Sequence, residues 1–132
     1  MSIEKPNLKS VLAWMRLLDD YAKDWDSTFD NKPHYYTQDF WYLMVSCCLA
    51  YWEGRPLSVA TACQHMKSGS NRTREERIKK AVIDGYLQKL PSETDGREIF
   101  VAPTEKLEDA LYQHFSRTLK QAEDNFVPNL KD

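Results

Sequence analysis

The stretch 57–104 constrains the fold more than any other, because its cap and turn residues fall in one fixed order. Ser58 is placed to cap a short helix that ends near Met66, and Lys67, Ser68, Gly69 and Ser70 then supply a polar turn. A second helix is predicted over 71–84, with Ile78, Ala81 and Val82 on its apolar side and Arg72, Arg74, Arg77, Lys79 and Lys80 on its cationic side. Gly85 follows, where a left-handed residue closes a helix. The segments 86–91 and 98–102 carry β-forming side chains, and Asp95-Gly96 between them suits a hairpin tip because glycine accepts positive φ at little cost. Helix, turn, helix and hairpin, in that order, make a winged helix-turn-helix.

The flanks read as helices. Leu8, Val11, Met15, Leu18, Ala22, Trp25 and Phe29 alternate spacings of three and four, so a long amphipathic helix is predicted there, with Asn7 as its cap. Leu12, Trp14, Leu17 and Tyr21 widen its apolar stripe beyond what one neighbour covers; either a second copy of the chain covers the rest or the helix packs within its own domain. A loop over 26–33 leads to a helix capped by Thr37, whose body, DFWYLMVSCCLAYWEG, is apolar nearly all round and so is expected at the centre of the domain. Thr104 caps a final helix with Leu107, Ala110, Leu111, Phe115, Leu119, Ala122 and Phe126 along one face. The expected fold class is mainly α with a small β-hairpin, a single winged-helix domain over 1–132. Helices 8–30 and 105–126 are expected to pair two copies through Val11, Met15, Leu18, Trp25, Leu111, Phe115, Leu119 and Phe126, and 57–104 forms the reading unit.

A chain of 132 residues can bury a core without a metal or disulfide staple. Cys47, Cys48 and Cys63 are odd in number and form no CxxC pair, which fits a reducing cytoplasm; Cys63 and His65 point apart on a helix, so no metal site and no cofactor is expected. Cys47 and Cys48 sit in the apolar central helix and are read as core, although a reactive thiol is the alternative. The N-terminus lacks the pattern of a secretory signal, and the apolar run 40–52 falls well short of the roughly 20 residues needed to span a bilayer. No GxSxG, HExxH or phosphate-cradling glycine loop is present, so an enzyme is not expected.

Net charge is -2, but its distribution is uneven: 57–97 carries 8 basic and 5 acidic residues, against 6 and 8 in 1–56 and 4 and 7 in 98–132. Positive charge gathered in the reading unit suits a face that approaches phosphates. A helix fits the major groove of duplex DNA, and the polar turn and first turns of the second helix offer Ser68, Ser70, Asn71, Arg72, Thr73 and Arg74, with Arg77 and Lys80 further along. Arg97 on the hairpin would reach the minor groove or its phosphates, oriented by Asp95. Glu75 and Glu76 cut against this, and favour either a structural role at a helix N-terminus or a protein-interaction module that does not bind DNA. The aromatic side chains of the first half, Trp14, Tyr36 and Trp41 among them, either fill a helical core or wall a pocket for a small planar aromatic effector.

The stretch 57–111 resembles the winged helix of the MarR family of bacterial transcriptional regulators. The resemblance rests on IDGYL, with Gly85 and Leu87, and on Asp95, Gly96 and Arg97 followed by IFVAPT, where Thr104 matches the helix-opening residue and Pro103 replaces a leucine. Arg74 stands where the family carries an aliphatic residue. The resemblance implies a homodimeric, sequence-specific regulator that binds an inverted repeat in double-stranded DNA and releases it on binding a small ligand.

Overall fold

The computed structural model describes residues 7–94 and 96–126. The elements are α1 (Leu8–Thr28), a single 3-10 turn (Pro33–Tyr36), α2 (Gln38–Trp52), β1 (Leu57–Ser58), α3 (Val59–His65), α4 (Asn71–Ile83), β2 (Leu87–Pro91), β3 (Ile99–Pro103) and α5 (Glu105–Phe126). Among the described residues, no helix is long and apolar enough to cross a membrane.

The expected order holds, with one addition. β1, only two residues long, pairs with β3 on the edge opposite β2, so the wing is part of a three-stranded antiparallel sheet of order β1-β3-β2 rather than a lone hairpin. Lys89 and Leu57 both lie opposite Val101, which places β3 at the centre of the sheet with Val101 and Ala102 fully buried. So short a strand has no periodicity to read; its pairing is set by β3 alone.

α2 is the central helix, as its all-round apolar composition requires. Thr37 caps it by accepting from the Phe40 N–H, and Phe40, Leu43, Met44, Cys47 and Cys48 all lie in the core. Burial pushes the thiols of Cys47 and Cys48 up to about 12, which favours the protonated form within the helix.

α1 and α5 run antiparallel, matched by Trp14 stacked on Phe126, Asp20 bonded to Gln121, and Asp24 bonded to Arg117. Here the structure corrects the sequence reading. The inward face of α1 is Leu17, Tyr21 and Trp25, so Trp25 is core and leaves nothing for a second copy to cover; Leu111 on α5 is core as well, and Phe115 packs against it. The side chain of Asn7 makes no capping bond to α1. His114, one position from the predicted apolar line of α5, is fully buried between the two helices, and its Nδ1 donates to Asp24 at 2.6 Å. By contrast Val11, Met15 and Leu18 on α1, with Leu119 on α5, stay exposed, Met15 at 60%.

Polar ties close the domain around Gly85 (φ +83°). Thr104 Oγ1 donates to the Gly85 carbonyl at 2.6 Å and also caps α5, so one hydroxyl joins the end of α4 to the start of α5. Tyr35 and Tyr86, both buried, donate to Asp84 (2.7 Å) and Asp30 (3.1 Å), which fastens the segment between α1 and α2 to α4.

Candidate nucleic-acid interface

The reading unit is α3, the turn after it, α4 and the wing. Ser58 caps α3 through the Thr61 N–H (3.1 Å), and Ser70 caps α4 through the Thr73 N–H (3.2 Å). Capping of this kind stabilises a short helix by about 1 kcal/mol. Gly69 adopts φ +94°, and a Cβ there would meet Thr73 Cγ2 at 3.0 Å, so glycine is required both for the turn and for the close approach of α4.

The turn is held from α2. Asp39 accepts from the Lys67 N–H at 2.6 Å and the Ser68 N–H at 3.3 Å, takes a further short bond from the Ser68 hydroxyl, and faces Arg77 at 3.7 Å. Burial alone would raise the Asp39 carboxyl, but these donors outweigh it and hold the group below its ordinary value. Arg77 adds a 2.7 Å bond from its guanidinium to the Ser68 carbonyl. Sequence reasoning missed Asp39: at the start of a helix it looks like a dipole partner, and nothing in the sequence ties it to a turn 28 residues away.

The predicted contact residues therefore divide. Asn71 and Arg72 stand at the exposed start of α4, Arg72 with 90% of its side chain open and paired to Glu76 at 3.2 Å. Ser70 and Thr73 are joined through their hydroxyls at 3.2 Å and start the helix. Ser68 is exposed but engaged with Asp39, and Arg77, also engaged with Asp39, has a side chain only 20% exposed. Lys80 lies 3.8 Å from Asp84. Arg74 is half-buried, and its Nε is shielded from solvent with no hydrogen-bond partner among the described residues, in the position where the expected family carries an aliphatic side chain.

Arg97 is exposed on the wing and lines a cleft of about 480 Å³ with Glu75, Lys89 and Glu98. Asp95, expected to orient it, lies outside the described residues. Of the pocket residues, Tyr36 and Trp41 line one cleft between α1 and α2, whereas Trp14 stacks on Phe126 at 4.4 Å and lies elsewhere.

No family model matches the sequence, and no curated protein matches it. Solved structures do. A crystal structure of a Mycobacterium tuberculosis protein superposes with a TM-score of 0.66 at 17% identity, covering 98% of this chain and 86% of that one. A transcriptional regulator from Thermotoga maritima gives 0.59 at 18% identity, covering 97% and 83%. AbsC, a MarR family transcriptional regulator from Streptomyces coelicolor, gives 0.53 at 12% identity, covering 98% and 84%. At these identities the likeness is one of fold, and the fold is that of a MarR-like winged helix-turn-helix with long flanking helices.

Proposed function

We propose that this protein is a homodimeric transcriptional regulator that binds an inverted repeat in double-stranded DNA and answers to a small ligand. The observation that carries the reading is the exposed start of α4, with Asn71 and Arg72 outward while Asp39 and Arg77 brace the turn behind them. A rigid helix of this width, cationic at its leading end, suits the major groove, and Arg97 on the wing suits the minor groove or its phosphates. Pairing is supported by the apolar strip Val11, Met15 and Leu18 with Leu119, which the single chain leaves in water. Phe126 lies at the end of the same helix pair, stacked on Trp14. Two copies joined there would present two α4 helices to successive major grooves about 34 Å apart.

The test is selection of duplex sites from a random pool, followed by titration of the selected site. The Arg72→Ala/Arg97→Ala double variant is expected to lose at least about tenfold in affinity, as two lost contacts of ordinary strength imply. Binding should also weaken steeply with salt. Equal affinity of the double variant would overturn the reading. Glu75 and Glu76, both exposed on α4, favour a second reading, a protein-interaction winged helix, and no retained duplex at low salt would select it.

A further inference from the structure

The cleft between α1 and α2 has a definite chemistry. Its volume is about 630 Å³, and its walls are the rings of Tyr21, Trp25, Tyr36, Trp41 and Tyr42 with the carboxylate of Asp26; no lysine, arginine or histidine lines it. Trp25 and Trp41 lie 6.5 Å apart at 44°, and Tyr42 stands nearly perpendicular to Trp41 at 5.8 Å. The two indole donors of the lining are already used: the Trp25 indole N–H bonds the Tyr35 carbonyl at 2.9 Å, and the Trp41 indole N–H bonds the Tyr21 hydroxyl. Besides neutral phenol hydroxyls and the Gln38 amide, what the cleft offers is π faces and, from Asp26, one negative charge.

Aromatic faces attract cations through their quadrupoles, most strongly where water is thinned, and a carboxylate at the rim adds to the same sign. An acid would meet Asp26 with no cation in the lining to offset it. Tyr42 already draws a cation on this chain, Lys67 Nζ at 5.8 Å from its centroid, from the turn after α3 and outside the cleft lining.

We propose that this cleft binds a hydrophobic organic cation, seated on the indole and phenol faces with its charge beside Asp26. The regulatory consequence rests on the ligand-responsive reading above; the binding itself does not. That consequence has a physical route. Thr37, Gln38, Trp41 and Tyr42 line the cleft, and Asp39, within the same turn of α2, holds the Lys67 and Ser68 amides of the reading unit. A ligand that displaces the first turn of α2 moves the anchor of α4.

The closest test uses two ions of nearly equal shape and opposite charge, tetraphenylphosphonium and tetraphenylborate, titrated calorimetrically into the full chain without DNA. The phosphonium is expected to bind at least about tenfold more tightly, the scale of a desolvated cation–π contact assisted by a carboxylate. Asp26→Asn should remove most of that preference while circular dichroism stays unchanged. Tyr36→Ala, at an exposed ring, should weaken the phosphonium several-fold. Equal affinity for the two ions, a tighter borate, or a preference retained in Asp26→Asn would each overturn the proposal. Repeating the titration against the selected duplex separates the layers: cation binding without DNA release refutes the ligand-responsive reading alone, and absence of any DNA binding refutes the regulator reading while the calorimetry still decides the cleft.

Discussion

The reading unit and the α1–α5 pair solve opposite problems with the same chain. In the reading unit, polar groups are joined to one another: Asp39 holds the turn, Ser70 starts α4, Arg77 reaches back to the Ser68 carbonyl, and what remains outward is a short row of side chains led by Asn71 and Arg72. In the α1–α5 pair, the buried ring of His114 is tied to Asp24 and, through it, to the half-exposed Arg117, while apolar side chains remain outside. On the proposed reading the first surface meets phosphates and benefits from fixed geometry and exposed charge, whereas exposed apolar rows are best covered by a partner. The difference teaches that the two regions, under the proposed function, would be completed in different ways, one by a polar partner and the other by an apolar one.

The largest effect that would break this contrast comes from two leucines on the same helix. Leu111 is 1% exposed and Leu119 is 59% exposed. Leu111→Ala should cost about 2–5 kcal/mol, because a cavity opens in a core that cannot fully relax. Leu119→Ala should change the unfolding free energy of the monomer by no more than about 0.5 kcal/mol, and instead weaken self-association. Urea denaturation across a range of protein concentrations distinguishes them: the midpoint of the Leu119 variant should lose concentration dependence, that of the Leu111 variant should fall throughout. If both variants behave alike, α5 does not have an inner and an outer face with separate roles.

How much of this was legible in the sequence follows from the range of the interactions. Ser58, Ser70 and Thr104 cap helices, and Gly85 adopts the left-handed turn, because such devices act on backbone only a few residues away. The facing of α1 was not legible. Its stripe is wider than one helix face, so Leu17, rather than Leu18, points inward only because α5 lies on that side. Asp39 and His114 were missed for the same reason, since their partners are 28 and 90 residues away in sequence. Helical periodicity alone also did not show the place of Arg77: it shares a side of α4 with other residues of the candidate contact set, yet Asp39 and the Ser68 carbonyl draw it into the turn.

The next effect sharpens the polar side. Asp39→Ala removes acceptors for two amides and a hydroxyl and leaves Arg77 without its carboxylate, so it should lower stability by about 1.5–3 kcal/mol, the range for hydrogen bonds to a charged group. Its effect on duplex binding should exceed the loss of folded protein, because the freed turn no longer fixes the start of α4. Circular dichroism and a site titration at a temperature where the variant is fully folded provide the check. Unaltered affinity under those conditions would mean that the Asp39 tie stabilises the domain without positioning the interface.

The smallest effect tests buried His114 and its carboxylate partner through pH. Burial lowers His114 below its ordinary 6.5, opposed in part by the Asp24 carboxylate, and Arg117 on the far side of that carboxylate adds to the lowering. With the Nδ1 proton donated to Asp24, a neutral ring leaves only a lone pair at Nε2, which is buried without a partner among the rings of Tyr21, Trp25 and Phe115. A second proton would have no acceptor there. The unfolded chain therefore binds that proton first: the stability that His114 contributes is present above about pH 6.5 and is lost as pH falls through the lower native value, with a slope of at most about 1.4 kcal/mol per pH unit for one proton. Asp24 and Asp39, both held below the ordinary carboxylate value, add a second loss of the same sign in more acidic solution, below about pH 4. Thermal unfolding between pH 7.5 and 3 should show both limbs, and His114→Gln should flatten the first while the second remains, whatever the variant does to the absolute melting temperature. An unchanged slope between pH 6.5 and 5 in that variant would place the titrating group elsewhere and leave the α1–α5 cluster a matter of packing alone.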